Sequence, residues 1–328
     1  MTSDNYQYIL LYQSEDSMAK TIIYIDGGAG RVIAAIPALL KFNRLNPTLD
    51  WALIIPAWDY LLWSIPELQD RTYGADTKGI WDNVIKEADL IMTPEPYRLP
   101  AYFRQEISLV EGFDREINGT TDHSDLGIPK MIFSKTEEKW AVNTIADVKQ
   151  QQQKAKTIVI QPFGRGATLD RNDVIDSASR SLSADGYISL TKKLAAKFNM
   201  IFFGEQQLQI TTDSYTVKLP PQTDLRMWAS LISYADYFVG VDSVGQHMAR
   251  AVGCPGTVIF GSTFPVNTSY PDYFQIIEKA GQKKYSPIRI TGLDSVLADR
   301  YNDTMMDFDE SEITNIYNMI VADIEKTK

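Results

Sequence analysis

The sequence predicts an α/β protein made of two Rossmann-like domains that face each other across a central cleft. Three observations predict it. Short apolar, β-branched runs alternate with helical patterns along the whole chain, which indicates parallel sheets. A polar, low-complexity run, Lys149-Gln150-Gln151-Gln152-Gln153-Lys154, separates two halves built on the same logic. The length of 328 residues suits two domains of ~100–200 residues each. The expected division is therefore residues 1–153 and 154–328.

Taken in order, Tyr6–Tyr12 is strand-like and precedes the first βα unit, as an added edge strand would. Thr21–Asp26 is continuous and β-branched, hence a buried strand. Residues 31–45 follow as a helix with Val32, Ile33, Ile36, Leu39, Leu40 and Phe42 apolar, although Pro37 should cost it stability or kink it. Trp51–Ile55 and Ala88–Met92 read as further strands. In the second half Thr157–Gln161, Met200–Gly204, Tyr237–Val241 and Thr257–Phe260 read as strands, separated by helices near 184–198, 223–235 and 244–253. The last stretch, Glu310–Lys326, reads as an amphipathic helix with Ile313, Ile316, Met319, Ile320 and Ile324 roughly on one face.

Composition narrows the functions. No segment approaches the ~20 apolar residues of a membrane span, so stable membrane insertion is not expected. The first 16 residues lack the basic and apolar regions of a secretory signal, which points to a cytoplasmic protein. One cysteine, Cys254, and two histidines, His123 and His247, exclude an intrachain disulfide and a cysteine- or histidine-rich metal centre. Residues 1–150 carry 14 Lys+Arg against 22 Asp+Glu, so bulk electrostatics oppose docking on nucleic acid or an anionic membrane.

Two motifs carry chemistry. Asp26-Gly27-Gly28-Ala29-Gly30-Arg31 joins a strand end to a helix start. Its glycines, Gly28 and Gly30 among them, permit a tight turn and close approach of a ligand, and the helix N-terminus favours an anion. The spacing is neither a dinucleotide fingerprint nor a P-loop, and a ligand-free turn fits it as well. The second motif runs from Asp236 to Pro265. One strand ends at Asp242-Ser243, the helix that follows carries Gly245 and His247, and the next strand ends in Gly261-Ser262-Thr263. Hydroxyls, glycines, an acid and a histidine at two consecutive strand ends suit a phosphorylated ligand. Read one by one, Asp242 and Ser243 are equally plain helix caps and His247 a packed helix residue. Arg165, in the loop after the strand at Thr157–Gln161, and Glu205, after Phe203-Gly204, stand at further strand ends where a nucleotide or sugar hydroxyl would bind.

The second motif resembles the signature of glycosyltransferase family 9, the ADP-heptose:lipopolysaccharide heptosyltransferases. Asp242, Ser243, His247, Phe260, Gly261, Thr263 and Pro265 match, and Val244 replaces a usual glycine. Gly30, Val32, Pro37, Ala38, Leu39 and Pro47 fit the family's N-terminal pattern, and Arg180 takes its phosphate-contacting lysine position. The resemblance implies a GT-B fold, with the acceptor on the N-terminal domain, the nucleotide-sugar mainly on the C-terminal one, and the final helix, from about Glu310, crossing back toward the first domain. It implies sugar transfer from an ADP- or UDP-sugar to an acceptor hydroxyl, inverting and metal-independent, with no cofactor beyond the donor.

One departure matters. The family's proposed base is an aspartate where this chain has Arg31. An arginine is no base at neutral pH, but it suits phosphate. Asp26 becomes the candidate base, with Asp242 and His247 behind it, and Arg31 a clamp on the donor phosphates or acceptor. The acceptor implied is a glycan such as lipopolysaccharide core. Alternatives are a hydroxymethylated DNA base, as in phage-type GT-B enzymes, a non-catalytic nucleotide-sugar-binding relative, and a GT-B-like epimerase.

Overall fold

A computed structural model describes residues 20–171, 173–176, 178–204, 210, 213–220, 223–279, 284 and 306–327. The expected edge strand at Tyr6–Tyr12 and the site candidate Glu205 lie outside the described residues.

The chain forms two compact units. The first begins with β1 (Thr21–Tyr24), α1 (Ala29–Leu45), β2 (Trp51–Ile54), β3 (Thr72–Tyr73) and β4 (Leu90–Met92). The chain then contributes α2 (Pro100–Phe103) to the second unit and returns to the first as α3 (Leu109–Asn118). The four strands form one parallel sheet in the order β3-β2-β1-β4. Helix α1 runs unbroken through Pro37. Val32, Ile33, Ala34, Ala35, Ile36, Ala38 and Leu39 are all fully buried along it, and that burial offsets the missing backbone hydrogen bond.

The second unit comprises residues 100–108 and everything from Phe133 onward. It contains α4 (Lys135–Gln152), β5 (Thr157–Gln161), a two-stranded hairpin of β6 (Thr168–Asp170) and β7 (Asp173–Ile175), α5 (Ala184–Ala195), β8 (Asn199–Phe202) and β9 (Val217–Lys218). Then follow α6 (Leu225–Tyr234), β10 (Tyr237–Val241), α7 (Val244–Val252), β11 (Gly256–Phe260), α8 (Pro265–Thr268), β12 (Gln275–Glu278) and α9 (Glu310–Lys326). Six of these strands make a parallel sheet ordered β12-β11-β10-β5-β8-β9.

Two expectations change. The glutamine run is helical: Gln150, Gln151 and Gln152 close α4, which a Ser134/Glu137 capping box opens, and Gln153 caps it in the left-handed region at φ 58. The compact units part at Ile132/Phe133 instead, with residues 100–108 also in the second. Helix α9, expected to cross back, packs within the second unit against α5. Its stripe of Ile313, Ile316, Ile320 and Ile324 is buried in that unit's core, and Asp323 accepts a 2.5 Å hydrogen bond from the Tyr237 hydroxyl.

In each sheet the strand order reverses once, between β1 and β4 and between β5 and β10. Loops leaving the carboxyl ends on either side of such a reversal splay apart, and the crevice they leave is where ligands of open α/β sheets bind. The register between β10 and β11, next to the second reversal, is tight. Gly256 pairs with Phe238, and a Cβ on Gly256 would lie 2.5 Å from the Phe238 backbone oxygen. Gly256→Ala is therefore expected to destabilise the second unit by about 1–3 kcal/mol, read from the midpoint of urea unfolding.

Candidate active site

The carboxyl ends of β5, β10 and β11 bring the second motif together. Gln161 ends β5, and its side chain spans to the start of α7. Its Nε2 donates to Ser243 Oγ at 3.2 Å, and its Oε1 accepts the Gly245 N–H at 2.8 Å. A Cβ on Gly245 would sit 2.3 Å from that oxygen, so glycine is required there. Ser243 is the N-cap of α7 in extended conformation, but its hydroxyl makes no cap bond to the helix, because Gln161 does that work.

Asp242 is buried and both its oxygens are engaged: Oδ1 accepts from Gln246 Nε2 at 3.0 Å and Oδ2 from Thr263 Oγ1 at 2.7 Å. Asp242 thereby ties the β10 end to the β11 end and is built to position its neighbours. Gly261 and Thr263 are buried there, and Ser262 Oγ donates to the Ala178 carbonyl at 2.7 Å. His247 is buried one turn into α7, with Nδ1 2.8 Å from the Tyr270 hydroxyl. Burial pushes its pKa down to about 4, so the ring is neutral at pH 7.

The loop from β5 to α5 supplies the cation. Asp176 accepts from the backbone N–H of Ala178 and of Arg180 and from Ser181 Oγ, and Ser181 Oγ accepts the Gly164 N–H at 2.9 Å. This pins the loop so that Arg180 Nη1 lies 3.9 Å from Asp242 Oδ2. Among the described residues Arg180 Nε is buried and has no hydrogen-bond partner. Arg165 is exposed in the same loop.

The first motif looks different. Gly28 caps α1 in extended conformation, with nothing within 4 Å of an added Cβ; Gly30 is already helical, and the sharp turn falls on Gly27 at φ 92. Arg31, expected as a ligand clamp, is only 4% exposed and points inward. Its Nε donates to the Asp26 carbonyl at 3.2 Å and its Nη1 to Glu95 at 2.7 Å, while the guanidinium lies over Tyr97 and Phe113. Glu95 follows β4 and Asp26 follows β1, so Arg31 bridges the strand-order reversal of the first sheet. A cation this buried is held by the nearest acid, here Glu95. The Asp26 side chain is 54% exposed, with Oδ1 3.8 Å from Arg31 Nη2.

In the sequence Gln161 opens the stretch Gln161-Pro162-Phe163-Gly164-Arg165-Gly166, which follows a strand and reads as lining a nucleotide site, and Glu95 is a first-domain acid that stands behind Asp26 as a candidate base. A lone polar residue closing the apolar run Thr157-Ile158-Val159-Ile160 was the available signal for Gln161. Among the described residues no group of three His, Cys, Asp or Glu side chains is arranged to hold a metal ion, and no helix is long and apolar enough to cross a membrane.

Comparison with known proteins agrees with this geometry. Residues 189–283, which include Asp242, Ser243, Gly245, His247, Gly261 and Thr263, match the family model of glycosyltransferase family 9 (heptosyltransferase). A glycosyltransferase family 9 protein from Veillonella parvula superposes with a TM-score of 0.67 at 11% identity, over 94% of this chain and 99% of that one. The E. coli ADP-heptose lipopolysaccharide heptosyltransferase II superposes with a TM-score of 0.60 at 14% identity, over 93% and 99%. The dodecameric, iron-containing heptosyltransferase TibC of enterotoxigenic E. coli, solved with ADP-D-beta-D-heptose, gives 0.60 at 12% identity, over 94% and 77%. No curated protein matches the chain in sequence. The resemblance to family 9 thus stands, the fold is GT-B, and the comparisons describe glycosyltransferases.

Two outcomes follow from the buried charges. Arg31→Met should cost the first unit about 3–5 kcal/mol by removing the cation that Glu95 faces in a buried site, read from urea unfolding. For His247 the folded pKa of about 4 lies below the unfolded value of ~6.5, so the unfolded state binds the proton first. Stability from this group is complete above pH 6.5 and falls as pH drops toward 4. Between pH 7 and pH 5 wild type should lose about 2 kcal/mol more than His247→Gln.

Proposed function

We propose that the chain is a cytoplasmic GT-B glycosyltransferase that moves a sugar from an ADP-sugar to an acceptor hydroxyl, with inversion and without a required metal. The observation that carries the reading is the assembly at the β5/β10 reversal. There the N-terminus of α7, the Ser243 hydroxyl and an arginine with a buried, unpartnered Nε converge. A diphosphate leaving group is an anion that needs such donors, fixed in advance, as charge develops on it. Heptosyltransferase II and TibC, similar in fold, are described with ADP-heptose, which favours adenosine over uridine in the donor.

In this mechanism Arg180 and the first turn of α7 hold the donor diphosphate. Asp242, Thr263 and Gln161 keep those groups in place, and neutral His247 supports α7 through Tyr270. Asp26 is the general base. It is an exposed carboxylate at the carboxyl end of β1, and Arg31 anchors its backbone carbonyl. It removes the acceptor hydroxyl proton while the oxygen attacks the anomeric carbon from the face opposite the diphosphate, which inverts that carbon.

Thermal-shift measurements with ADP-, UDP-, GDP- and CMP-sugars test the donor. Stabilisation by the ADP-sugar above the others is expected, and no response to any of the four sinks the reading. Asp26→Asn should lower the transfer rate ~10²–10⁴-fold with donor affinity preserved, and EDTA should leave the rate of the wild type unchanged.

A further inference from the structure

Arg31 brings three nitrogens to the carboxyl end of the first sheet, and they are used unequally. Nε donates to the Asp26 carbonyl at 3.2 Å and Nη1 to Glu95 Oε1 at 2.7 Å. Nη2 is buried and, among the described residues, has no hydrogen-bond partner. It lies 3.8 Å from Asp26 Oδ1, close enough for an ion pair and too far for a hydrogen bond. A buried donor left unpaired costs free energy, and closing that gap would satisfy it. The contact that opposes closure is the one to Glu95.

Glu95 is held to that position by its own neighbours. Its backbone N–H donates to Glu116 Oε2 on α3 at 3.3 Å. Its side chain also accepts the Tyr97 N–H at 3.3 Å, which caps the 3₁₀ turn Pro96–Arg98. The guanidinium is confined further by the rings of Tyr97 and Phe113, 4.7 and 5.4 Å from its carbon. The titratable groups that face Arg31 are Asp26, Glu95 and Tyr97; Glu116 faces Glu95, with Arg98 and Arg115 beside it. A cation brought onto a carboxylate favours the ionised form and weakens it as a base. Glu95 supplies the competing anion.

We propose that Glu95 is a positioning residue for the transfer: it holds the Arg31 guanidinium off the Asp26 carboxylate, so that the base keeps its affinity for the acceptor proton. The inference rests on the reading of Asp26 as the base and deepens it. An arginine five residues from a general base is tolerated because an acid after another strand answers its charge. Its side chain then anchors the turn through the Asp26 carbonyl without quenching the Asp26 carboxylate.

The test follows the Asp26 carboxyl carbon by NMR through a pH titration of the full chain, its signal identified by its loss in Asp26→Asn. In Glu95→Gln the guanidinium is released toward Asp26, and the Asp26 midpoint is expected to fall by about 1 pH unit. Arg31→Met removes the cation and leaves the Glu95 charge, so there the midpoint is expected to rise. Each single change breaks a buried pair and costs stability. Arg31→Met/Glu95→Gln removes both charges together and keeps an acceptor for the Tyr97 N–H, and its midpoint is expected to return to that of the wild type. A loosened fold that carries Arg31 away from Asp26 raises the midpoint, so a fall in Glu95→Gln reports the released charge. An unchanged or raised midpoint in Glu95→Gln, or a double variant displaced as far as either single one, overturns the proposal. Release of ADP from ADP-heptose, with water as the acceptor, is measured alongside, and Asp26→Asn is expected to slow it ~10²–10⁴-fold. An undiminished rate in Asp26→Asn together with the expected titrations supports the charge arrangement and removes Asp26 as the base.

Discussion

Between β5 and β10 the two halves of the second sheet wind away from each other, and the gap they leave is spanned by the carboxamide of Gln161. Its oxygen takes the Gly245 N–H that the first turn of α7 leaves unpaired, and its nitrogen holds the Ser243 hydroxyl. A buried donor left unsatisfied costs about 1–3 kcal/mol, so this one side chain decides where α7 begins. The absence of a Cβ at Gly245 allows the approach. The remaining contacts build outward from that point. Asp242 is placed by the same turn and reaches Thr263 and Gln246, and Arg180 is drawn toward Asp242 from the pinned loop at Asp176.

The first unit solves the equivalent problem with charge. Arg31 crosses from the β1 turn to Glu95 after β4, with two aromatic rings against its guanidinium. A buried ion pair adds little net stability over an apolar filling, yet losing either partner is expensive, so it specifies geometry more than it stabilises. The geometry specified is that of Asp26, whose carbonyl Arg31 holds. One reversal is thus braced by a neutral amide, Gln161, at the start of a helix. The other is filled by a cation that turns away from solvent.

Much of this was legible in the chain. The runs at Thr157–Gln161 and Tyr237–Val241 are strands over those same residues, because β-branched and aromatic residues buried on both faces leave an uninterrupted apolar signal. Strands β3 and β9 are two residues each and carry no period to read. The glutamine run looked like a linker because it is polar and repetitive, but glutamine is a good helix former and the capping box at Ser134 starts a helix that extends through it. The stripe on α9 was visible, whereas its packing partner is a tertiary fact that one helix does not encode. The same holds for Arg31: its position in the turn followed from the glycines, while the direction of its side chain depended on Glu95, 64 residues away.

The excursion of residues 100–108 into the second unit bears on how this protein can be cut. The fully buried Asn267 gives one amide hydrogen to the Tyr102 carbonyl at 2.7 Å and the other to Ile107 at 3.0 Å. A fragment beginning at Phe133 would lack both of these acceptors for a buried amide. Neither unit is a continuous piece of chain, so exchanging the second unit between relatives calls for transplanting the nine residues of 100–108 together with everything after 132. Recombination at a single crossover, the usual route to modular transferases, would break the unit it meant to move.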